Sequence, residues 1–378
     1  MHQGTGLRLL PRRLKQRGFV LVVSAIASVI LLGCLGMAVD LGRLYLVKSE
    51  SQNFVDSVAL LAAAELDGTS VGIQRAANAA AQSFQRYDMA SKAFTGTTTR
   101  FATALAGPWY EATAAPLKSR FVRVASTVPV SMFFLPIITG RRTSGVGDSE
   151  LLSGWNGTVA ASGIAAQVEK RTFTEGIFPF SPFAHSATGP HFGLEPGKDY
   201  TLSWVAKPEY GRGNVCAGDE VQSVIDLANA TGSEERGFIE ETSADLIRQT
   251  IINDYQTVTR TVGDFVDLTG GVKATMADAI QTRVNQDSDS YSAKYADYVS
   301  LGGGNGRRLI GVPINDGGTP PGVNHQIVSI GLFFLKPAQA YAGNPQKPWC
   351  AEYVGAYVEG SSHQGVEESG AWVVRLVR

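Results

Sequence analysis

Apolar positions along the chain begin as one uninterrupted, uncharged run from Phe19 to Val39 (FVLVVSAIASVILLGCLGMAV), after a leader holding Arg8, Arg12, Arg13, Lys15 and Arg17 and no acid. A hydrocarbon core about 30 Å thick is crossed by roughly 20 apolar residues in a helix, and an Arg- and Lys-rich flank stays on the cytoplasmic side. The pattern predicts a basic cytoplasmic leader over 1–18, a transmembrane helix over 19–39, and a body outside the cytoplasm. Beyond the run the apolar positions turn periodic. Leu41, Leu44 and Tyr45, then Val55, Val58, Ala59, Ala62 and Leu66, fall three and four apart, with polar Lys48 to Asn53 between the groups, which is the spacing of one helical face. No Pro interrupts Phe19 to Leu66, so one continuous helix about 70 Å long is expected at the usual rise per residue. Gly68, Thr69 and Ser70 supply a stop and a new N-cap, and alanine-rich Val71 to Tyr87 reads as a second helix. Residues 40–94 together form a helical stalk.

From about Thr95 the pattern changes to strands. Phe121 to Val130 alternates, Gly157 to Val168 follows a turn-like Trp155-Asn156-Gly157, and Tyr200 to Ala206 is a further strand. Between them Phe173 to Gly197 is crowded with Pro, Gly and aromatics, as in a structured loop or junction. Residues 95–206 are thus a strand-rich region. Over 207–378 the elements mix. Asp219 to Asn229, Ala244 to Tyr255 and Val272 to Val284 have helical patterns, and Thr261 to Leu268, Arg308 to Ile314, Gln326 to Leu335, Glu352 to Val358 and Trp372 to Val377 have strand patterns. Strands with inserted helices predict an α+β body rather than a doubly wound parallel sheet, and no period of 20 to 50 residues recurs to suggest a solenoid.

Composition narrows the classes. With 378 residues, 44% of them apolar, there is material for an anchor and a real core; net charge is −1, and 42 Gly with 18% charged residues suit a turn-rich body outside the cytoplasm. Past the leader no segment is basic enough to offer a nucleic-acid face. The apolar run has two rival identities, a secretory signal and a lipoprotein signal. A cleavable secretory signal has a shorter apolar region and an A-x-A site, which is missing here. Leu31-Leu32-Gly33-Cys34 has the form of a lipoprotein box with Cys34 as the lipidated residue, although Leu35 to Val39 continue the apolar run. With Cys34 in the span, Cys216 and Cys350 remain as an even pair on the oxidising side of the membrane and are expected to form a disulfide. Closing a loop of roughly 130 residues stabilises by about 4 to 5 kcal/mol in the chain-entropy view; two buried free thiols are the alternative.

Candidate chemistry is sparse. Gly68-Thr69-Ser70-Val71-Gly72 has the letters of a nucleophile elbow, but it joins two helices where that motif needs a strand-to-helix turn. Gly302-Gly303-Gly304-Asn305-Gly306-Arg307-Arg308 lacks the Lys and Ser/Thr of a phosphate-binding loop and reads as a glycine turn entering a strand. His185 and His191 near Glu195 and Asp199 have no metal-ligand spacing and are expected to face solvent. The adjacent acids Asp219-Glu220 and Glu240-Glu241 point to different sides of their helices and are read as solvated charge. No catalytic residue, cofactor, metal or small-molecule substrate is expected. Within the span, Ser24 and Ser28 with Gly33 and Gly36 are small positions that allow close approach of another helix, while Asp40 and Arg43 mark the membrane boundary.

Gln16-Arg17-Gly18, then Gly36-Met37-Ala38-Val39-Asp40-Leu41-Gly42-Arg43-Leu44-Tyr45, Gln52-Asn53, Asp56 and the alanines at 59 and 62–64 resemble the TadE/TadG-like pilus-assembly family of the bacterial tight-adherence (Flp) system. That family shows the same order of basic leader, apolar span, Asp at the membrane exit, Gly-Arg-x-Tyr, and a helix with Gln, Asp and clustered Ala. Looser likenesses follow at Val122 to Val130 with Phe133-Phe134, around Cys216, at Gly263-Asp264 and at Gly304 to Arg308. The resemblance implies a non-enzymatic inner-membrane component of pilus assembly whose body lies in the periplasm and whose partners are other pilus-assembly membrane proteins. Two departures stand out. Asp287-Ser288-Asp289-Ser290-Tyr291 breaks the D-x-S-x-S metal pattern of some larger relatives. Gly18-Phe19 fits a prepilin cleavage junction, but Val23 stands where a prepilin has Glu.

Overall fold

The computed structural model describes residues 17–86, 95–134, 156–203, 215–221, 224–226, 237–239, 243–269, 274–318, 324–342 and 347–377. It is α+β, a long apolar N-terminal helix followed by a body of mixed strands and helices. By internal contacts the chain divides into two units, one of Met1–Asn53 with Thr127–Ala161, the other of Phe54–Ser126 with Ser162–Arg378.

Helix α1 (Arg17–Ala64) is continuous, as expected where neither Pro nor a helix stop intervenes. Its first part belongs to the first unit, together with the C-terminal end of β2 (Phe121–Ser131) and the N-terminal end of β3 (Asn156–Glu169). Here large apolar side chains stand exposed, among them Phe19, Leu32 and Leu35. The helix is long and apolar enough to cross a membrane, and none of its most apolar 18-residue window is buried.

The second unit begins with the rest of α1, which ends before Gly68, whose φ of +80° is left-handed and suits a residue without Cβ. Helix α2 (Ser70–Arg86) follows. The strands of the main sheet run in the order β1 (Thr95–Ala102), β2, β3, β13 (Ala371–Leu376), β12 (Trp349–Glu359), β11 (His325–Leu335), β10 (Leu309–Asn315). β5 (Asp199–Ser203) pairs with β12 and β8 (Phe265–Val266) with β11. β12 and β13 are parallel, whereas β10 with β11, β11 with β12, and β13 with β3 are antiparallel. Two small ribbons pair β4 (Thr172–Phe173) with β7 (Arg260–Thr261), and β6 (Phe238–Ile239) with β9 (Leu268–Thr269).

Every residue of β10 is buried, and so is β11 from Ser329 onward, the signature of strands covered on both faces. Side chains alternate along a strand, so Phe333 joins one apolar cluster with α3 (Ala244–Asn253) and α4 (Ala274–Asn285), and its neighbour Phe334 joins another with Tyr298 of α5 (Tyr295–Ser300). Four of the five phenylalanines between Phe173 and Gly197 are core: Phe173, Phe178, Phe180 and Phe183 are buried, and Phe192 is half-buried against one of the clusters. The segment holds itself in the core by isolated bridges, Ile177 to Gly311, Phe180 to Phe238 and Phe183 to Asn315.

Several elements differ from the pattern-based expectation. Thr261 to Leu268 is not one strand, because Gly263 (φ +105°) turns the chain and the Asp264 carboxylate accepts the Thr261 N–H at 2.7 Å. The helix expected from Asp219 does not start there: Ala217–Asp219 is a short 3-10 turn, and helical backbone is described at 224–226; residues 222–223 and 227–229 lie outside the described residues, as do Trp204 to Ala206 of the expected strand.

Candidate functional site

The motif at the end of the apolar run is built on one face of α1. Gly36, Asp40, Leu44 and Lys48 are spaced by four, so they stack along one side of the helix, and each meets the ends of β2 and β3 within the first unit. Asp40 is 1% exposed. Its Oδ1 accepts the Phe133 N–H at 2.9 Å and its Oδ2 the Phe134 N–H at 2.8 Å, two charge-assisted bonds that satisfy a buried carboxylate. The Arg43 guanidinium lies 4.4 Å from the centre of the Phe133 ring, within cation–π range. Gly36 is a close approach: a Cβ there would stand 2.6 Å from both Cβ and Cγ of Phe134. Leu44 packs near Gly157 of β3, and Lys48 donates to the Ala160 carbonyl. Of the expected face Leu41, Leu44 and Tyr45, Leu41 and Tyr45 are exposed, because the Asp40 hydrogen bonds select which side of the helix meets the strands.

In the second unit the rest of α1 buries Val55, Val58, Ala59, Ala62 and Ala63. Gly163 of β3 lets the strand reach the helix backbone, since a Cβ there would lie 3.0 Å from the Asp56 Cα. A helix end leaves its last carbonyls without partners, and here side chains supply them. Gln167 Nε2 donates to the carbonyls of Ala63 (3.1 Å) and Leu66 (2.8 Å), while its Oε1 accepts the Val366 N–H at 3.0 Å. Ser361 Oγ donates to the Ala64 carbonyl at 2.9 Å, and Arg75 Nη2 to that of Glu65 at 3.2 Å. Arg75 also pairs with Glu65 and, at 2.7 Å, with Asp67, and His363 Nε2 lies 3.3 Å from Glu65. The hydrogen bond from His363, then the charges of His363 and Arg75, hold the Glu65 carboxyl below its usual range against the opposing effect of burial. For Asp67 burial pushes upward, but hydrogen bonds from Thr69 and Arg75 outweigh it and the carboxyl is held low.

Residues 18–65 match the family described as putative Flp pilus-assembly TadE/G-like. Neither a curated protein nor a solved structure matches the chain. The TadE/G-like segment therefore covers α1 almost end to end, and it makes the first set of contacts above and, through Ala63, Ala64 and Glu65, most of the second. The match supports a role in pilus assembly and interaction with other pilus components.

Other residues of this segment fall as follows. Ser24 Oγ and Ser28 Oγ donate to backbone carbonyls of the preceding turn, Leu21 at 3.0 Å and Ser24 at 2.7 Å. Gly33 and Gly42 have no atom near an added Cβ, Tyr45 is exposed, Gln52 and Asp56 are half-buried, and Cys34 is an exposed free thiol in mid-helix.

Away from the TadE/G-like segment, Cys216 and Cys350 form a disulfide with a Cα–Cα distance of 5.9 Å. It ties the turn before Asp219 to β12, beside β5. Two expectations are corrected here. Asp219 is not solvated charge: it is 2% exposed, its Oδ2 accepts the Thr201 N–H at 2.6 Å, and its Oδ1 is 2.8 Å from His185 Nε2. His185 is accordingly half-buried, its side chain 9% exposed, rather than solvent-facing, because its loop folds into the core. His191 Nδ1 lies 3.0 Å from the Tyr353 hydroxyl, Glu195 pairs with Lys198 at 2.9 Å, and Asp199 with Lys336 at 2.5 Å. These separate partnerships keep the four from converging, and among the described residues no group of three His, Cys, Asp or Glu side chains is placed to hold a metal ion. Glu240 and Glu241 lie outside the described residues.

At Gly68 to Gly72 the Thr69 Oγ1 accepts the Gly72 N–H at 3.0 Å, an N-cap of α2. At Gly302 to Arg308 the glycine turn leads to Arg308, which is 0% exposed and donates to the Leu335 carbonyl at 2.7 Å and the Ser292 carbonyl. The Asp287 carboxylate accepts the Arg308 and Asp289 N–H groups at 2.9 and 3.0 Å, so protein donors fill the D-S-D-S turn.

Residue-by-residue reading of the sequence did not single out Gln167, Gly163, Ser361 or His363. Gln167 acts on a carbonyl 104 positions away, and no local spacing encodes such a partnership. A lone Gln in the apolar stretch Ile164 to Val168 of β3 was the available signal.

Proposed function

We propose that this chain is a non-enzymatic, single-pass inner-membrane component of a tight-adherence pilus-assembly apparatus. Residues 1–18 lie in the cytoplasm, 19–39 span the bilayer, and the α+β body works in the periplasm as a scaffold or binding surface. The reading is carried by one coincidence: the segment that matches the TadE/G-like family is the same helix that is long and apolar enough to cross a membrane. The basic leader favours this orientation, and the Cys216–Cys350 disulfide suits an oxidising compartment. In the bilayer the exposed face of α1, with Ser24, Ser28 and Gly33, packs against helices of partner proteins. Asp40, Gly42, Arg43 and Tyr45 mark the exit, and Gln52 and Asp56 begin the part of the helix that enters the body.

Protease added to spheroplasts tests the orientation. The expected result is digestion of the body with the leader and span retained in the membrane; a body protected until the membrane is permeabilised overturns it. Photo-crosslinking from position 52 in cells that assemble the pilus is expected to capture another assembly component.

A further inference from the structure

We infer that the Phe133–Phe134 tip at the end of β2 is a second membrane contact, immersed in the outer lipid interface beside the span and pinned there by Asp40. The inference rests on the anchor reading above and adds to it a lipid-facing element from a distant part of the sequence. Three observations within the first unit carry it.

Depth comes first. The neighbour of Phe134 is Gly36, which belongs to the uncharged run and lies about 6 Å nearer the middle of the span than Asp40, at 1.5 Å per residue. The tip therefore sits level with the last turn of the apolar run and not beyond it. Exposure comes second. Phe133 and Phe134 are 56% and 41% exposed, beside a helix that itself exposes Met37, Val39 and Leu41. Two exposed phenylalanines adjoining an apolar helix extend the surface that lipid covers, and such rings are seated at the headgroup/acyl boundary in interfacial elements. Tyr45, 79% exposed on the same helix, is a further ring of that kind.

Hydrogen bonding is the third. Backbone N–H groups entering an apolar interface need partners, and the Asp40 carboxylate supplies one oxygen to each of the two tip N–H groups. The arrangement is reciprocal, since the two donors in turn satisfy both oxygens of a carboxylate that is 1% exposed. Arg43, whose guanidinium lies over the Phe133 ring, sets a positive charge beside the tip, where it meets the headgroup phosphates. The occupant of this surface is thus a lipid headgroup and upper acyl region.

The test uses the full-length chain with Cys34→Ser, so that the remaining cysteines are locked in the disulfide. Single cysteines introduced by Phe133→Cys, Leu31→Cys and Tyr291→Cys are labelled with an NBD fluorophore. Each protein is reconstituted in phosphatidylcholine/phosphatidylglycerol vesicles carrying spin-labelled lipids. Position 31 reports the span and exposed Tyr291 of the body reports water. The expected result is quenching at 133 by headgroup-proximal spin labels several-fold above that at 291, with weak quenching by aqueous iodide. Adding Asp40→Ala is expected to shift the 133 label toward the iodide sensitivity of 291 while the label at 291 is unchanged. Iodide quenching at 133 equal to that at 291, with position 31 still quenched by lipid, overturns the tip contact and leaves the anchor standing. A label at 133 shielded from iodide and lipid alike places the tip against protein and overturns it as well. Failure of lipid quenching at 31 overturns the anchor reading, and the tip contact falls with it.

Discussion

The two parts of α1 are one helix and match one family, yet they bury opposite kinds of residue. Between Phe19 and Leu46 the large apolar side chains are outside, Phe19 at 73% and Leu46 at 58% exposure, and what is buried is Gly36 and Asp40. Between Phe54 and Ala63 the pattern reverses, with Val55, Ala59, Ala62 and Ala63 at 0%. Continuous apolarity and periodic apolarity therefore go with different surroundings, one part of the helix open and the other packed. The first part has too many apolar residues for one face and offers them all round. The second confines small and β-branched residues to one stripe, as a helix against a protein core does.

A buried charge is the strongest way to break this contrast. Ala62→Asp places a carboxylate without a partner in the packed stripe, at a cost of about 3 to 5 kcal/mol. That is a large part of the roughly 5 to 15 kcal/mol by which a domain is stable, so the thermal transition of the body is expected to collapse. Leu31→Asp, in the exposed part, costs about 2.5 to 3.5 kcal/mol of membrane insertion. It is expected to move protein from the membrane to the soluble fraction with the melting temperature of the body unchanged. If both substitutions lower the melting temperature equally, the two parts do not differ as described.

Reduction of Cys216–Cys350 separates the parts next. The bridge closes a sequence separation of 134, and its loss costs on the order of 4 kcal/mol in the chain-entropy view. Body melting followed by circular dichroism is expected to fall on reduction or in Cys216→Ser, whereas Cys34→Ser changes neither melting nor membrane association.

Glycine substitutions sharpen the comparison at smaller scale. Gly163→Ala drives a methyl to within about 3 Å of the Asp56 backbone, an overpacking that costs about 1 to 3 kcal/mol, read as a shifted urea midpoint of the body. Gly33→Ala meets no atom within 4 Å and is expected to leave that midpoint in place.

Much of this contrast was legible in the sequence. The extent of α1, the stop at Gly68 and the buried set Val55, Val58, Ala59, Ala62 and Leu66 follow from period and punctuation, which are local. β10 to β13 were legible as β-branched runs between Gly and Pro. Asp40 was legible only as a boundary residue, because its partners, the Phe133 and Phe134 N–H groups, are 93 and 94 positions off and are backbone, which carries no letter. His185 and Asp219 were misread as exposed for a related reason. A loop rich in Pro and Gly has the composition of a surface segment, but four of its five phenylalanines draw it into the core and its polar groups follow.

The smallest expected effect is on acidification, at the end of the packed part. Glu65 and Asp67 are held below their ordinary values of 4.5 and 3.8, so the unfolded chain takes up their protons more readily than the folded one. Their contribution to stability is complete above about pH 5 and is lost as pH falls through the unfolded values toward the lower folded ones. Melting temperature of the body between pH 6 and 3 is expected to decline in that window, and Arg75→Met, which removes a partner of both carboxylates, is expected to flatten the decline. Residues 19–39 contain no acid, so membrane association is expected to stay constant over the same range. A matching loss of association would mean that the exposed part of α1 depends on the body for its place in the bilayer.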